Sequence, residues 1–233
     1  MATFLLVHGA WGGSYGFRKL RPLLQQVGHE VFTPSLTGIG ERAHLTGPTV
    51  GLDTHIADVV NAVWYEDLTD VVLLGFSYGG MVVTGALDHL GDRVSRLIYL
   101  DAFVPADGES ASDLWLGSLP TGVAGEGWAI DPLPRDLGSP EANEWSNARR
   151  VPQPVRTLTQ SIALATPLEQ RGLPLTYIKA TADPNESSES GFWQAARHAQ
   201  SSEAWDYREI DTNHMVPFTR PAELAELLDR IVR

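Results

Sequence analysis

The residues whose types and spacing most suggest chemistry lie in the stretch 71–80, which reads Val-Val-Leu-Leu-Gly-Phe-Ser-Tyr-Gly-Gly. An apolar run typical of a buried strand ends at Gly75, and a helix-compatible segment follows Gly80. Between them, Ser77 is the centre of a Gly-x-Ser-x-Gly pattern, whose small residues permit a sharp turn from strand to helix. Such a turn presents the hydroxyl at a helix N-terminus, where backbone N–H groups favour developing negative charge. The pattern predicts a nucleophile at Ser77, although it also arises by chance in glycine-rich loops.

The base that this serine requires is predicted to be His214. An alkyl hydroxyl is a poor nucleophile at neutral pH, so it needs a base within hydrogen-bond reach and an acid that orients the base. Of the seven histidines, His214 follows the last predicted strand and therefore lies at the sheet edge that also presents Ser77. No two histidines have the His-Glu-x-x-His spacing of a metal site, so the sequence predicts no metal.

Two aspartates compete for the role of the orienting acid. Asp183 follows the penultimate predicted strand and completes the chain order serine, acid, histidine. Asp101 also ends a predicted strand, but its alternative role is a hydrogen bond to the loop that opens the next segment. Asp211 lies only three residues before His214, which is too close along the chain for a comfortable pair. We therefore expect Asp183 to be the acid, with Asp101 as its rival.

Acyl transfer also requires N–H donors for the oxyanion of the tetrahedral intermediate. The backbone N–H of Tyr78, directly after the serine, is one predicted donor. The other is predicted to come from the loop after the first strand, which reads His-Gly-Ala-Trp-Gly-Gly over residues 8–13. The glycines of this loop let its backbone approach a substrate, and we expect Ala10 to supply the second N–H.

The elements that must position these groups alternate between short apolar runs and longer segments of helical period. This alternation favours a mostly parallel sheet with helices on both faces. We predict six strands, near 3–7, 30–33, 71–75, 96–101, 174–180 and 205–210. We predict helices near 16–27, 54–65, 79–90, 189–199 and 220–232. A chain of 233 residues is long enough to build a sizeable core in a single domain.

The segment 104–170 interrupts this alternation. It contains eight prolines, together with Trp115, Trp128 and Trp145. A surface linker and a cap over the carboxyl end of the sheet both fit a proline-rich segment, but a linker seldom carries three tryptophans. We therefore predict one domain over residues 1–233, with a core formed by 1–103 and 171–233 and an inserted cap at about 104–170.

Composition narrows the range of partners. The net charge of −12 disfavours a nucleic acid, and the absence of cysteine excludes thiolate catalysis and disulfides. No run reaches the ~18 apolar residues of a membrane span, and no secretory leader is recognisable. The expectation is a cytoplasmic enzyme that acts on a small molecule, with no membrane or nucleic-acid partner and no cofactor. The sequence does not decide whether the protein is a monomer or a homodimer.

With these motifs in place, the chain resembles the α/β-hydrolase fold along its whole length. It is most similar to the compact branch that contains bacterial carboxylesterases, plant methyl esterases and hydroxynitrile lyases. The matching stretches are 6–11, 74–81, 99–105 and 213–215. The resemblance implies a sheet without the first two strands of larger relatives and a cap at 104–170. Hydroxynitrile lyases of this branch typically carry a threonine and a lysine where this chain has Gly9 and Met215, so the resemblance favours an esterase.

The function predicted from the sequence is a serine carboxylesterase that cleaves a small to medium apolar or aromatic ester through an acyl-enzyme. Aromatic and apolar residues near the predicted site are candidate pocket walls, namely Trp11, Phe103, Trp115, Trp128 and Met215. Two alternatives use the same catalytic groups. One is a lyase or biosynthetic enzyme that cleaves a C–C bond, and the other is a ligand receptor in which hydrolysis is vestigial.

Overall fold

Parallel strands and the helices around them make up most of this computed structural model, which describes residues 1–115, 123–124, 127–135, 137–184 and 186–233. The strands are β1 (Thr3–Val7), β2 (Glu30–Phe32), β3 (Val71–Phe76), β4 (Val94–Leu100), β5 (Val123–Ala124), β6 (Ala129–Ile130), β7 (Gln153–Pro154), β8 (Leu175–Ala180) and β9 (Trp205–Ile210). Six of them form one parallel sheet in the order β2-β1-β3-β4-β8-β9. The short strands β5, β6 and β7 pair antiparallel in a separate sheet.

Helices cover both faces of the six-stranded sheet. They are α1 (Leu20–Gln26), α2 (Leu52–Tyr65), α3 (Gly79–Leu90), α4 (Ala111–Leu114), α5 (Pro140–Asn147), α6 (Val155–Thr159), α7 (Gly191–Ser201), α8 (Val216–Thr219) and α9 (Pro221–Ile231). Helices α2, α3 and α7 contribute buried side chains to one core layer, and α1 and α9 contribute to the other. The sheet is therefore buried on both sides, as parallel sheets are.

The central strands explain why the sequence signal for the sheet is strong. All six residues of β3 are buried. Leu73 pairs with Leu5 and Leu97 and packs in one core layer, whereas the next residue, Leu74, packs in the other. A strand buried on both faces reads as an unbroken apolar run, since successive side chains point to opposite faces.

The predicted α/β architecture is confirmed, and every predicted strand and helix has a counterpart in the structure. The boundaries differ mainly at α1, because residues 14–17 form a separate turn of 3₁₀ helix before it. None of the helices in the described residues is both long enough and apolar enough to cross a bilayer. The cytoplasmic location stays a prediction.

Residues 104–170, which connect β4 to β8 and are called here the inserted segment, contain α4, the small sheet, α5 and α6. These elements are two to eight residues long, too short to produce a clear periodic signal in the sequence. Residues 116–122, 125–126 and 136 of the predicted cap lie outside the described residues. The division of the chain into core and cap stays a prediction.

Candidate active site

The turn between β3 and α3 presents Ser77 at the carboxyl edge of the sheet. Ser77 has a φ of 57°, in the left-handed region that a non-glycine residue adopts only where the surroundings enforce it. The glycines of the motif allow this tight path. A Cβ on Gly79 would lie 2.5 Å from the carbonyl oxygen of Val7, and a Cβ on Gly75 would lie 2.7 Å from that of Gly79. Small residues at these positions are therefore required for the serine to sit where it does.

His214 lies beside the serine, as the sequence predicts. Its Nε2 is 3.0 Å from the hydroxyl oxygen of Ser77, and the imidazole is buried. Two rings hold it in place: Phe76 stacks at 4.9 Å between ring centres on one side and Phe192 at 5.0 Å on the other. This packing fixes the imidazole plane, so the predicted base is held in one orientation.

The acid that contacts the imidazole is Asp101, and not Asp183 as expected. The Oδ2 atom of Asp101 lies 2.6 Å from Nδ1 of His214, and Asp101 is fully buried. Because a carboxylate only accepts, Nδ1 carries the proton and Nε2 is left free to accept from Ser77. Asp101 has a φ of 42°, and its N–H donates to the carbonyl of Ile178 in the neighbouring strand β8. The residue is thus held at the sheet edge with its side chain directed at the histidine.

Asp183 occupies a different position near the same histidine. Its Oδ2 accepts a hydrogen bond of 3.1 Å from the backbone N–H of His214. The reason lies in the end of β8, where Thr181 and Ala182 continue the backbone pairing with the β9 side of the sheet beyond the strand. Asp183 therefore lies beyond this pairing and fixes the loop that carries His214, while Asp101 fixes the ring.

A buried lysine completes the surroundings of Asp101. Lys179 is fully buried, and its Nζ lies 2.6 Å from Oδ1 of Asp101 and 2.7 Å from Oε2 of Glu186. Burial by itself raises the pKa of Asp101, but the hydrogen bonds and charges of His214 and Lys179 outweigh it and hold that pKa below its usual range. Asp101 is therefore a carboxylate in the neutral pH range. Burial and the charge of Asp101 raise the pKa of Glu186.

The loop after β1 packs against the serine. A Cβ on Gly9 would lie 2.8 Å from Cβ of Ser77, so only glycine permits this approach. Ala10 and Tyr78, the two predicted oxyanion donors, border the serine from the loop and from the start of α3. Among the described residues, we find no acceptor for the backbone N–H of either. Both groups are thus available to a developing oxyanion.

Trp11 ties this loop to the inserted segment. Its backbone N–H donates to Oε1 of Gln153 at 2.7 Å, and its indole N–H donates to the carbonyl of Ile130 at 2.9 Å. The residue has a φ of 58° and is almost completely buried. The position of Ala10, one residue earlier, therefore depends on contacts with residues more than a hundred positions away.

Two cavities adjoin the predicted base, His214, and contain four of the five predicted pocket residues. One, with about 510 Å³ of empty space, includes Ser77, Trp11 and Met215. The other, with about 810 Å³, includes Phe103 and Trp115. His214 borders both. Both are partly open to solvent, which these volumes include.

Trp128 is the predicted pocket residue that the structure does not bring to the site. It borders neither of the two cavities. It precedes β6, and its carbonyl accepts the N–H of Val155 at 2.8 Å, which places it in the framework of the small sheet. An aromatic residue in a segment of unknown path cannot be assigned to a wall by type alone.

Several residues of the site have weak sequence signals. Lys179 is the clearest, since a lysine in a strand whose six residues are all buried requires a buried anion nearby. Phe192, in α7, and Gln153, in β7, give no such signal because their roles arise only from tertiary contacts.

Comparisons with known proteins find relatives along almost the whole chain. A model of the alpha/beta hydrolase family matches residues 4–227. The carbendazim hydrolyzing esterase of Nocardioides sp. (strain SG-4G) is 38% identical over 98% of both chains. Among solved structures, methylesterase MES16 from Arabidopsis superposes with a TM-score of 0.78 at 24% identity, over 100% of this chain and 99% of that one. An extracellular alpha/beta-hydrolase from a Paenibacillus species superposes with a TM-score of 0.82 at 23% identity, over 99% and 98%.

Proposed function

This chain belongs to the alpha/beta hydrolase family and is a hydrolase that acts on esters, and we propose that it does so through an acyl-enzyme on Ser77. The observation that carries the proposal is the pair of contacts made by His214. They are 3.0 Å from Nε2 to the Ser77 hydroxyl and 2.6 Å from Nδ1 to Asp101. A nucleophile, a base and an orienting acid within hydrogen-bond reach are the minimal set for covalent acyl transfer.

In the proposed reaction, Ser77 attacks the ester carbonyl carbon as its hydroxyl proton passes to Nε2 of His214. The tetrahedral oxyanion accepts hydrogen bonds from the N–H groups of Ala10 and Tyr78. The C–O bond to the alcohol then breaks, and the alcohol leaves with the proton from Nε2. A water molecule, deprotonated by the same histidine, attacks the acyl-enzyme and releases the carboxylic acid. Asp101 stabilises the imidazolium in both steps.

The proposed substrate is an ester with a small to medium apolar or aromatic part. Trp11 and Met215 on one side and Phe103 and Trp115 on the other provide apolar walls around the catalytic groups. Met215 follows the histidine with an apolar side chain, which cannot stabilise a departing cyanide, so we place hydrolysis ahead of C–C bond cleavage. The relative described above is named as an esterase that hydrolyses carbendazim, so we include carbendazim in the panel of substrates to be tested.

The first experiment compares wild type with Ser77→Ala on 4-nitrophenyl acetate and butyrate. Loss of the nucleophile should lower kcat by at least about 10⁴-fold, because the remaining groups supply only binding and oxyanion contacts. Circular dichroism should show an unchanged fold. The matched control is Ser201→Ala, at the exposed end of α7, where the hydroxyl donates to the carbonyl of His198 in the same helix.

Two results would contradict the proposal. One is Ser77→Ala with wild-type turnover, and the other is a folded wild type that hydrolyses none of the esters in the panel.

A further inference from the structure

Two arginines of the inserted segment border the cavity that contains Ser77. Arg135 and Arg150 both reach this cavity, which His214 also borders. Both side chains are only partly exposed. The ester chemistry proposed above does not use either of them. A guanidinium offers five N–H donors and no acceptor, so placing two of them beside a catalytic serine has to serve another purpose.

Within the part of the chain that the structure describes, neither guanidinium has a carboxylate partner. Among the residues described by the structure, no Asp or Glu forms an ion pair with Arg135 or Arg150. The Nε atom of Arg150 is buried and has no hydrogen-bond partner there. Its guanidinium carbon lies 5.8 Å from the centre of the Trp11 ring, which is the one aromatic contact it makes among those residues. Unpaired buried donors of a cation are costly unless something else satisfies them.

The charges around the two arginines differ. Burial lowers the pKa of Arg135, while the charges of Asp183, Asp101 and Glu186 oppose that effect from a distance. Burial lowers the pKa of Arg150 to about 10, and the charge of Arg135 lowers it further, with only Tyr15 acting in the opposite direction. Nearby negative charges therefore stabilise the cation of Arg150 less than that of Arg135, although Arg150 stays protonated at neutral pH.

Arg149, the neighbour of Arg150 in the chain, has a different environment. Arg149 is exposed, its guanidinium carbon lies 4.2 Å from the centre of the Trp145 ring, and its Nη1 donates to the carbonyl of Trp145 at 2.7 Å. Arg149 therefore has partners on the surface, whereas Arg150 points into the cavity beside the serine. The protein carries a net charge of −12, so this cavity is a local cationic site in an acidic molecule.

We propose that Arg150, assisted by Arg135, binds an anionic group of the substrate, so that the preferred ester carries a carboxylate away from the bond that is cleaved. This inference rests on the proposed esterase function and adds the substrate class. A guanidinium binds a carboxylate through two parallel hydrogen bonds, which would satisfy the Nε donor and neutralise the charge. Arg135, which borders the same cavity, adds attraction for the anion.

The test compares two esters that differ only in charge, mono-4-nitrophenyl adipate and its neutral methyl diester. The measured quantity is the kcat/KM of the anionic ester divided by that of the neutral one. Charge-assisted hydrogen bonds make a difference of about 10- to 100-fold, so we expect this ratio to fall by at least about tenfold in Arg150→Met. Arg135→Met should lower it less. Arg149→Met, which removes the same charge one residue away, should leave it within about threefold of wild type.

A binding measurement separates this inference from the esterase function. Monomethyl adipate should bind the Ser77→Ala variant more tightly than dimethyl adipate does in calorimetry. Adding Arg150→Met should remove the preference. If wild type hydrolyses neither 4-nitrophenyl ester, the esterase proposal fails and calorimetry alone decides the anion site.

An equal charge preference in wild type, Arg150→Met and Arg149→Met would overturn the inference. If Arg150→Met does not fold, Arg150→Lys takes its place, since it keeps the charge and removes the two-point contact. A severalfold fall in the ratio is then expected, and an unchanged ratio counts against the proposal.

Discussion

Two aspartates contact different parts of His214, and we expect their roles to differ accordingly. Asp101 bonds to the ring at Nδ1, whereas Asp183 bonds to the backbone N–H of the same residue. Only the first contact decides which ring nitrogen carries the proton. Asp101→Asn should therefore lower kcat by about 10⁴-fold, and Asp183→Asn, whose amide oxygen can still accept the N–H, by far less. Kinetics on 4-nitrophenyl butyrate measures both, and a loss in Asp183→Asn as large as in Asp101→Asn would contradict this assignment.

Lys179 forms ion pairs with two carboxylates, so we expect its removal to destabilise the protein. Lys179→Met would leave Asp101 and Glu186 side by side without the cation that contacts both. Breaking a buried pair in this way lowers the free energy of unfolding by about 3–5 kcal/mol. Combining it with Glu186→Leu removes one of the two stranded charges, so the double variant should be more stable than Lys179→Met alone. Urea unfolding at pH 7 makes the comparison, and a double variant less stable than the single one would disprove the charge argument.

The choice between the two aspartates could not be made from the sequence. Both follow strands at the same edge of the sheet, so spacing along the chain does not separate them. What separates them is tertiary: the left-handed backbone at Asp101 and the buried Lys179 behind it. Ser77 and His214 were predictable because each lies where a recognisable element ends.

At the scale of elements, the packing of α3 against β1 depends on the absence of a side chain. A Cβ on Gly79 would lie 2.5 Å from the carbonyl oxygen of Val7 and 2.9 Å from that of His8. Both are backbone atoms that cannot rotate away, so Gly79→Ala should lower the free energy of unfolding by about 1–3 kcal/mol. Gly47→Ala is the matched control, since nothing lies within 4 Å of its added Cβ. Urea unfolding of both variants checks the difference, and equal stabilities would contradict the steric argument.

The elements themselves were predictable to different degrees. The central strand β3 is apolar and buried on both faces, and helices of clear period lie between the strands, which is why the α/β architecture could be predicted. The inserted segment lacks such periodicity. Its helix α4 spans four residues, and contacts such as Trp11 N–H to Gln153 join residues 142 positions apart. Such contacts have no signature in local sequence.

At the scale of the whole molecule, buried neutral histidines make stability depend on pH. His55 is fully buried, with Nε2 at 2.8 Å from the carbonyl of Thr37 and Nδ1 at 2.9 Å from the hydroxyl of Tyr78. Burial lowers the pKa of His55 from 6.5 to about 4. The unfolded chain therefore takes up a proton below pH 6.5 that the folded protein does not bind until about pH 4. Stability is greatest above pH 6.5 and falls as the pH decreases through this window.

His55→Gln tests this dependence. Glutamine can donate to Thr37 and accept from Tyr78, but it does not titrate. From the pKa of about 4, His55 accounts for about 2 kcal/mol of the stability lost between pH 7 and pH 5. Urea unfolding at both pH values should show that much less loss in His55→Gln than in wild type or in the exposed control His89→Gln. An identical loss in all three proteins would contradict the prediction.

The two hydrogen bonds of Trp11 also bear on how such a protein can diversify. They join the loop that carries a proposed oxyanion donor to Ile130 and Gln153 of the inserted segment. An exchange of the inserted segment between relatives would therefore disturb the rate of catalysis as well as the choice of substrate. A chimera that is to keep its activity therefore has to take the loop 8–13 and the inserted segment from the same parent protein.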